Sequence, residues 1–402
     1  MHTSTAQRLA FALVVAGLLA ASAGGQIPPG YEFIQITNSP SYEYGAAINN
    51  HGQIVFTSRP AQLNEMFDDL YLWENGVVTR LTDDDVRDCY PDINDDGVIV
   101  WSRGIGDGNT LEVMRLENGV VTRLTEDGFD DWAPRINASG MMTWYKWTRG
   151  GCQNSDSDIY IWRGAGPEVL FGGDRSNSQP RINDNGDIVW TRYDFCGSPE
   201  HFVWEADIMQ FANGQVRPLT NGQFQPQRCD INNDGLVGWY YNAPPDWLDA
   251  IQIWRNGVAE TLTDWGSGLY LGNSGSVLFE RWHDDSQLWG AWLFRDGQFW
   301  QLTDGTRRAT VASINDADEC VIYYGAPFST DLAVVRQRLR GDMNCDGAVN
   351  NFDIDAFVLA LANPTEYIAA YPSCAMWLAD CNRDGVVNNF DIDAFVASMT
   401  QR

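Results

Sequence analysis

Two twelve-residue segments near the C-terminus carry the densest oxygen chemistry in the chain: 342–353 reads DMNCDGAVNNFD and 380–391 reads DCNRDGVVNNFD. Oxygens at positions 1, 3, 5, 7, 9 and 12 of such a loop wrap a calcium ion, which takes six to eight ligands. The first segment offers Asp342, Asn344, Asp346, the carbonyl of Ala348, Asn350 and Asp353. The second offers Asp380, Asn382, Asp384, the carbonyl of Val386, Asn388 and Asp391. Gly347 and Gly385 stand at position 6, where the loop turns sharply. Hard carboxylate and amide oxygens suit a hard cation, so the expected cofactor is calcium, two ions per chain.

Most of the chain is built on another pattern, a repeat. Ile-Asn before a polar Gly turn recurs at Ile48-Asn49, Ile93-Asn94, Ile136-Asn137, Ile182-Asn183, Ile231-Asn232 and Ile314-Asn315, with a degenerate copy at Leu271-Gly272. Successive copies start 45, 43, 46, 49, 40 and 43 residues apart, the period of four-stranded propeller blades. In each copy the first strand ends at the Ile, and in six of the seven the second runs to an aromatic residue: Phe56, Trp101, Trp144, Trp190, Trp239 or Phe279. A third strand such as Tyr71-Leu72-Trp73 turns into the fourth at Asn75-Gly76, Asn118-Gly119, Asn213-Gly214, Asn256-Gly257 or Asp296-Gly297. Asn-Gly and Asp-Gly accept the positive φ of a two-residue hairpin. Phe33 to Thr37 looks like a fourth strand with no unit before it, and the last copy has three strands ending near Val335. The expectation is a mainly β chain: a seven-bladed β-propeller over 31–337, closed by its N-terminal strand so that no sheet edge is left open.

On that frame a second set of side chains falls into register. Arg103, Lys146, Arg192 and Arg281 each stand two residues past the recurring aromatic. One expectation is a basic arc facing an anionic ligand, since a guanidinium fork grips carboxylates. The other is structural: the bases pair with loop acids such as Asp88 and Asp131 and lie over ring faces. Long, variable segments (Thr148 to Asp158, Tyr193 to Asp207, Tyr241 to Ala250) would border this face, with Trp132, Trp147, Trp247 and Trp265 able to stack on sugar rings.

The repeats resemble those of TolB-like propellers, in which Leu-Thr, a loop and then Pro precede a strand and a polar-Gly turn. Leu81-Thr82, Leu124-Thr125 and Leu219-Thr220 match, as do Pro91, Pro134 and Pro180 two residues before their Ile. The C-terminal pair of loops resembles a type I dockerin: position 12 is Asp, no entering helix precedes either loop, and NNFDIDAFV recurs at 350–358 and 388–396. That resemblance implies a small α-helical domain over 341–402, two loop–helix repeats folded against each other. Its implied partner is a cohesin-like protein or a cell-surface component. Dockerins of cellulose-degrading complexes carry a Ser/Thr pair at loop positions 10 and 11, where this chain has Asn351-Phe352 and Asn389-Phe390.

Residues 1–23 have the layout of a secretory signal peptide: Arg8, an apolar run from Leu9 to Ala20, and Ala21-Ser22-Ala23. The expected location is extracellular, with no transmembrane segment in the mature chain. With 26 basic and 54 acidic residues, a net charge of −28, the chain lacks the basic footprint of a nucleic-acid binder. Eight cysteines in an oxidising compartment predict disulfides: Cys345 with Cys374, Cys152 with Cys196, and Cys381 without an assigned partner. There is no G-x-S-x-G elbow and no H-E-x-x-H helix. The leading expectation is a secreted, non-catalytic propeller that binds a ligand or partner, a glycan on its loop face included. The alternative is a glycoside hydrolase or polysaccharide lyase carrying the dockerin-like module as a docking handle.

Overall fold

The computed structural model describes residues 27–399, apart from 29, 61–67, 107–109, 149–155, 174, 195–204, 223–224, 244–247, 284–285, 327–328, 373 and 383. Residues 1–23, Cys152, Cys196 and Trp247 therefore lie outside the described residues. The chain divides into two compact units: Phe33–Val335, and the chain from Arg336 onward with the short segment ending at Glu32.

In the first unit the regular elements among the described residues are all strands. Five sheets, over 88–123, 131–171, 176–218, 225–264 and 266–301, have four strands each, paired antiparallel in chain order. An eight-stranded sheet joins Tyr42–Ile48, Ile54–Arg59, Asp69–Glu74 and Val77–Arg80 to Arg308–Ile314, Cys320–Ala326 and Ser329–Gln337. The join is a single parallel bridge, Tyr42 to Thr330. Tyr31–Gln35 pairs with Ser329–Gln337, and beyond it Ile36 N–H donates to Leu332 O at 2.8 Å. The first strand of each sheet packs on the first strand of the next, and Arg308–Ile314 returns to Tyr42–Ile48. The architecture is a β-propeller.

Its core lies between sheets rather than within one. Trp101 packs with Val55 and Leu70 of the preceding sheet, Trp144 with Val100 and Val113, and Trp239 with Val189 and Ile208. The six recurring aromatics are all at most 4 % exposed. A fully buried indole needs a partner for its N–H. Trp101 and Trp144 donate to Asp88 and Asp131 at 2.6 and 2.7 Å, and Trp190 donates to Asn177 at 3.0 Å.

The Asn of the repeat fastens each unit to the next. Asn49 Nδ2 donates to Asn94 O, Asn94 to Asn137 O, Asn137 to Asn183 O, Asn183 to Asn232 O, and Asn232 to Gly272 O, at 3.0–3.2 Å. Asn315 then donates to Asn49 O at 3.0 Å and closes the belt. Each amide oxygen meanwhile accepts from its own turn, as Asn94 Oδ1 does from Val98 N–H at 3.0 Å. Gly272 has no amide to give. There Ser274 Oγ reaches Asp318 Oδ1 at 2.8 Å instead.

The second unit holds three short helices: α1 (Ile354–Ala362), α2 (Pro364–Ala370) and α3 (Ile392–Ser398). Phe357 of α1 and Phe395 of α3, at equivalent places in the two repeats, stack face to face with centroids 4.0 Å apart. Met343, Tyr367, Leu378 and Cys374 complete this core. The expected Cys345–Cys374 disulfide is formed, with a Cα–Cα distance of 5.8 Å. Cys381 is a free thiol among the described residues.

Candidate functional site

Both C-terminal loops fold alike, and the residues at positions 1 and 12 organise them. Asp342 accepts Asp346 N–H and Gly347 N–H at 3.1 and 3.0 Å. Asp353 accepts Met343 N–H and Asn344 N–H on one oxygen and Asn350 N–H on the other, at 2.7–3.0 Å. The position-12 acid thus ties both ends of the loop together. Asn350 caps the turn that leads into α1, accepting from Phe352 N–H at 2.8 Å. In the second loop Asp380 accepts Asp384 and Gly385 N–H, Asp391 accepts Asn382 and Asn388 N–H, and Asn388 accepts Phe390 N–H. Gly347 and Gly385 have φ of +90° and +86°, a region closed to most residues with a Cβ.

Asp342 and Asp353 are buried, at 3 % and 0 % exposed, and neither has a basic partner among the described residues. Burial, followed by the negative charge of Asp353 and Asp346, pushes the Asp342 carboxyl up to about 7. Such a group is short of a cation, and the donor set around it is all oxygen. These residues fit a calcium ion. The second loop differs in one respect. Burial works to raise Asp380, but the Arg340 guanidinium, 2.7 Å from its Oδ2, outweighs it and holds that carboxyl below its usual range. Asp391 is fully buried, again with no basic partner among the described residues.

The four bases of the propeller do occupy equivalent register positions, each opposite a residue at the start of its sheet: Asp88 with Arg103, Asp131 with Lys146, Asn177 with Arg192, and Gly266 with Arg281. What stands opposite decides each partner. Arg103 lies 2.9 Å from Asp88 and also binds Asp84; Lys146 lies 3.5 Å from Asp131 and also binds Asp127. Facing a neutral Asn177, Arg192 turns to Asp207 at 2.7 Å. Facing a glycine, Arg281 lies over the Trp292 ring at 5.4 Å. Burial pushes Asp88 and Asp131 up to about 6 and about 7, against the pull of Arg103 and Lys146 respectively. Carboxylates of Glu112, Asp127 and Asp131 come within 4.8 Å of one another. The Lys146 ammonium already contacts two of those three.

Trp132 stands 6.4 Å from Trp147 and under the Arg87 guanidinium, while Trp147 and Trp265 are each 48 % exposed. Sequence reasoning missed a different group, on the ring axis. The residue just before each repeat Ile lines a central cavity, and among these are Asp92, Arg135, Arg181, Asp230 and Tyr270. The signal was present: that position swings between acid, base and neutral from copy to copy, unlike the Ile and Asn beside it.

No known family profile matches the chain, and no curated protein does. Solved structures do. The chain is similar to the β-propeller domain of the trilobed protease from Pyrococcus furiosus, described as having an open velcro topology, at 11 % identity over 74 % of this chain and 94 % of that one, with a TM-score of 0.57. It is also similar to the acylaminoacyl peptidase of Pyrococcus horikoshii, at 14 % identity over 76 % of this chain and a TM-score of 0.57. A puromycin-hydrolyzing peptidase of Mycobacterium tuberculosis follows at 10 % identity, 75 % coverage and a TM-score of 0.53. The chain spans about half the length of each of these peptidases, 54 % and 53 %. At such identities the likeness is one of fold, and the fold is a β-propeller.

Proposed function

We propose that this is a secreted calcium-binding protein, in which a seven-bladed propeller presents a ligand- or partner-binding ring and a dockerin-like module attaches it to an extracellular assembly or cell surface. The observation that carries the reading is the pair of matched loops, each closing backbone N–H groups onto a buried position-12 carboxylate, Asp353 or Asp391, that has no basic partner among the described residues. The blade count is supported by the eight-stranded sheet, which divides at its single Tyr42–Thr330 bridge into two four-stranded parts if Tyr31–Gln35 is taken to complete the final blade.

Attachment is supported by what the module leaves uncovered. Of the apolar residues at helical spacing, only Phe357 and Phe395 are buried; Ile354, Val358, Ile392 and Val396 are 39–55 % exposed. Phe352 and Phe390, at position 11 of each loop, are 79 % and 80 % exposed. An apolar strip presented twice, at equivalent places in two repeats, suits a protein partner better than solvent.

Calorimetric titration of the full chain with calcium tests this reading. Two ions should bind, and the Asp342→Ala, Asp380→Ala double variant should bind neither tightly. Undiminished binding of both ions by the double variant would refute the loop assignment. Phe352→Ala with Phe390→Ala should leave calcium binding intact and abolish calcium-dependent retention on the extracellular fraction of the source organism.

A further inference from the structure

The propeller axis brings arginines and carboxylates into one cavity: Arg135 and Arg181 line it together with Asp92, Asp230 and, at the turns, Asp95, Asp184 and Asp316. Arg135 from Asp131–Ile136 and Arg181 from Ser176–Ile182 line a central cavity of about 200 Å³ with Tyr270. Arg228, from the next sheet, reaches Tyr270 Oη at 3.2 Å and Gln179 Oε1 at 3.4 Å. The guanidinium of Arg181 lies over the Tyr270 ring at 5.4 Å and that of Arg228 at 6.0 Å, so one tyrosine gathers both.

These cations are held near acids without being used up by them. Asp92 gives one oxygen to Ile136 N–H at 2.9 Å, and Asp230 gives one to Leu271 N–H at 2.8 Å. Anchored there, each stays 3.8 Å from its arginine, Asp92 from Arg135 and Asp230 from Arg181. That is an ion pair beyond hydrogen-bond length. Arg181 is only 9 % exposed, and neither Arg135 nor Arg181 donates a hydrogen bond to any described residue. The acids at the turns that rim this cavity are in the opposite condition. Asp95, Asp184 and Asp316 have both oxygens taken: by Asn50 N–H and Nδ2, by Ala138 N–H and Asn233 Nδ2, and by Asn273 and Asn50 Nδ2. The rim acids are thus hydrogen-bonded on both oxygens, while the two guanidinium groups donate to no described residue and face the second oxygens of Asp92 and Asp230 at 3.8 Å.

We propose that Arg135 and Arg181, supported by Arg228, form an axial site for a small oxyanion, a carboxylate or a tetrahedral dianion, gripped by unspent guanidinium N–H groups. Burial first, and then the charge of Arg181, brings the Arg135 guanidinium down to about 10, against the pull of Asp92. An anion between the two arginines relieves that repulsion. The site is built from the first unit alone and does not rest on the calcium-binding reading of the second.

Titration calorimetry on the full, calcium-loaded chain, at constant ionic strength in chloride, tests it with two probes, sulfate and acetate. One saturable site is expected for at least one of them, and the preferred probe assigns the class: sulfate a tetrahedral dianion, acetate a carboxylate. Arg135→Gln should weaken that site tenfold or more. Arg181→Lys, which keeps charge and bulk but removes the fork, should also weaken it and decides the matter where the Gln variant misfolds. Arg163→Gln, at a surface pair with Glu168, should change nothing. Absence of saturable binding in the wild type overturns the proposal, as does equal binding by both axial variants, or an equal loss in Arg163→Gln.

Discussion

The propeller and the C-terminal module handle buried acid in opposite ways. In the propeller, Asp88 and Asp131 sit at 0 % exposure, and each receives an indole N–H and a cation from the facing strand. In the module, Asp342, Asp353 and Asp391 are as deeply placed but receive backbone N–H groups alone among the described residues. Burying a carboxylate is tolerable only when it is paired or coordinated. Asp88 and Asp131 therefore have their counter-charges in the propeller's own sequence, whereas Asp342, Asp353 and Asp391 have none among the described residues and, on the proposed reading, take theirs from solution. Asp380, paired with Arg340, is the exception in the module. A compact ring with extensive inter-sheet packing can fold on hydrophobic burial. A module of this small size, with three short helices, needs a staple.

Four experiments sharpen or break that contrast. The largest effect should come from removing the ion. A single site at a hundredfold excess of calcium over Kd contributes about 2.7 kcal/mol, and in a domain this small each kcal/mol moves Tm by about 4–8 °C. Chelation, or Asp342→Ala with Asp380→Ala, should lower the module's unfolding transition by at least about 10 °C and leave the propeller transition in place. A single transition that moves as a whole would show that the two units are not independent in the way the contrast requires.

Next comes Asp131→Ala, which takes the buried partner from the Lys146 ammonium, itself 2 % exposed, and leaves it the half-exposed Asp127 alone. Breaking a buried pair from one side costs about 3–5 kcal/mol. Urea unfolding should show a loss of that order, confined to the propeller. Lys146→Met should cost clearly less, because the Asp131 left behind can take up a proton. Equal costs for the two would mean that the pair does not hold the acid in its charged form.

Asn94→Ala removes one link of the belt and leaves Val98 N–H and Asn137 O without it. A lost buried hydrogen bond of this kind costs about 1–3 kcal/mol. Asn315→Ala, at the link where the belt closes, should cost a similar amount. If both were silent in thermal unfolding, the belt would be a consequence of packing rather than a fastening.

The smallest effect concerns pH. Burial raises Asp131 to about 7 and Asp88 to about 6, above the unfolded value. A raised acid favours folding in its protonated form, so its contribution is greatest near pH 4 and fades as pH climbs through the folded values. The propeller's Tm should therefore fall between pH 5 and pH 8 in the wild type, and fall less in Asp131→Asn. A steeper fall in the variant would reverse the sign and discard the burial argument.

Much of this was legible before any coordinates. The spacing of Ile-Asn, the Asn-Gly turns and the recurring Trp gave the sheets and their strand order, because side-chain periodicity and turn chemistry are local properties. Oxygen spacing singled out the two loops for the same reason: all the oxygens proposed to hold an ion lie within twelve residues. Sequence also placed the four bases in one register, yet it left open whether they would meet a ligand or an acid of their own chain. That choice turned on the residue opposite each one, Asp, Asn or Gly, which only pairing brings together.

What the sequence determined by itself is therefore the repeat, the hairpins and the matched pair of C-terminal loops, all of them written in near neighbours along the chain. The tertiary structure decided which helix residues were left uncovered, and that Asn49 would receive the last link of a belt begun 266 residues earlier in the count from Asn315. It also decided that Arg135, Arg181 and Arg228 would converge on one axis. Ring closure is the physical reason: positions some forty residues apart become neighbours only when the sheets pack around a common centre, and no local pattern encodes the charge that such a centre collects.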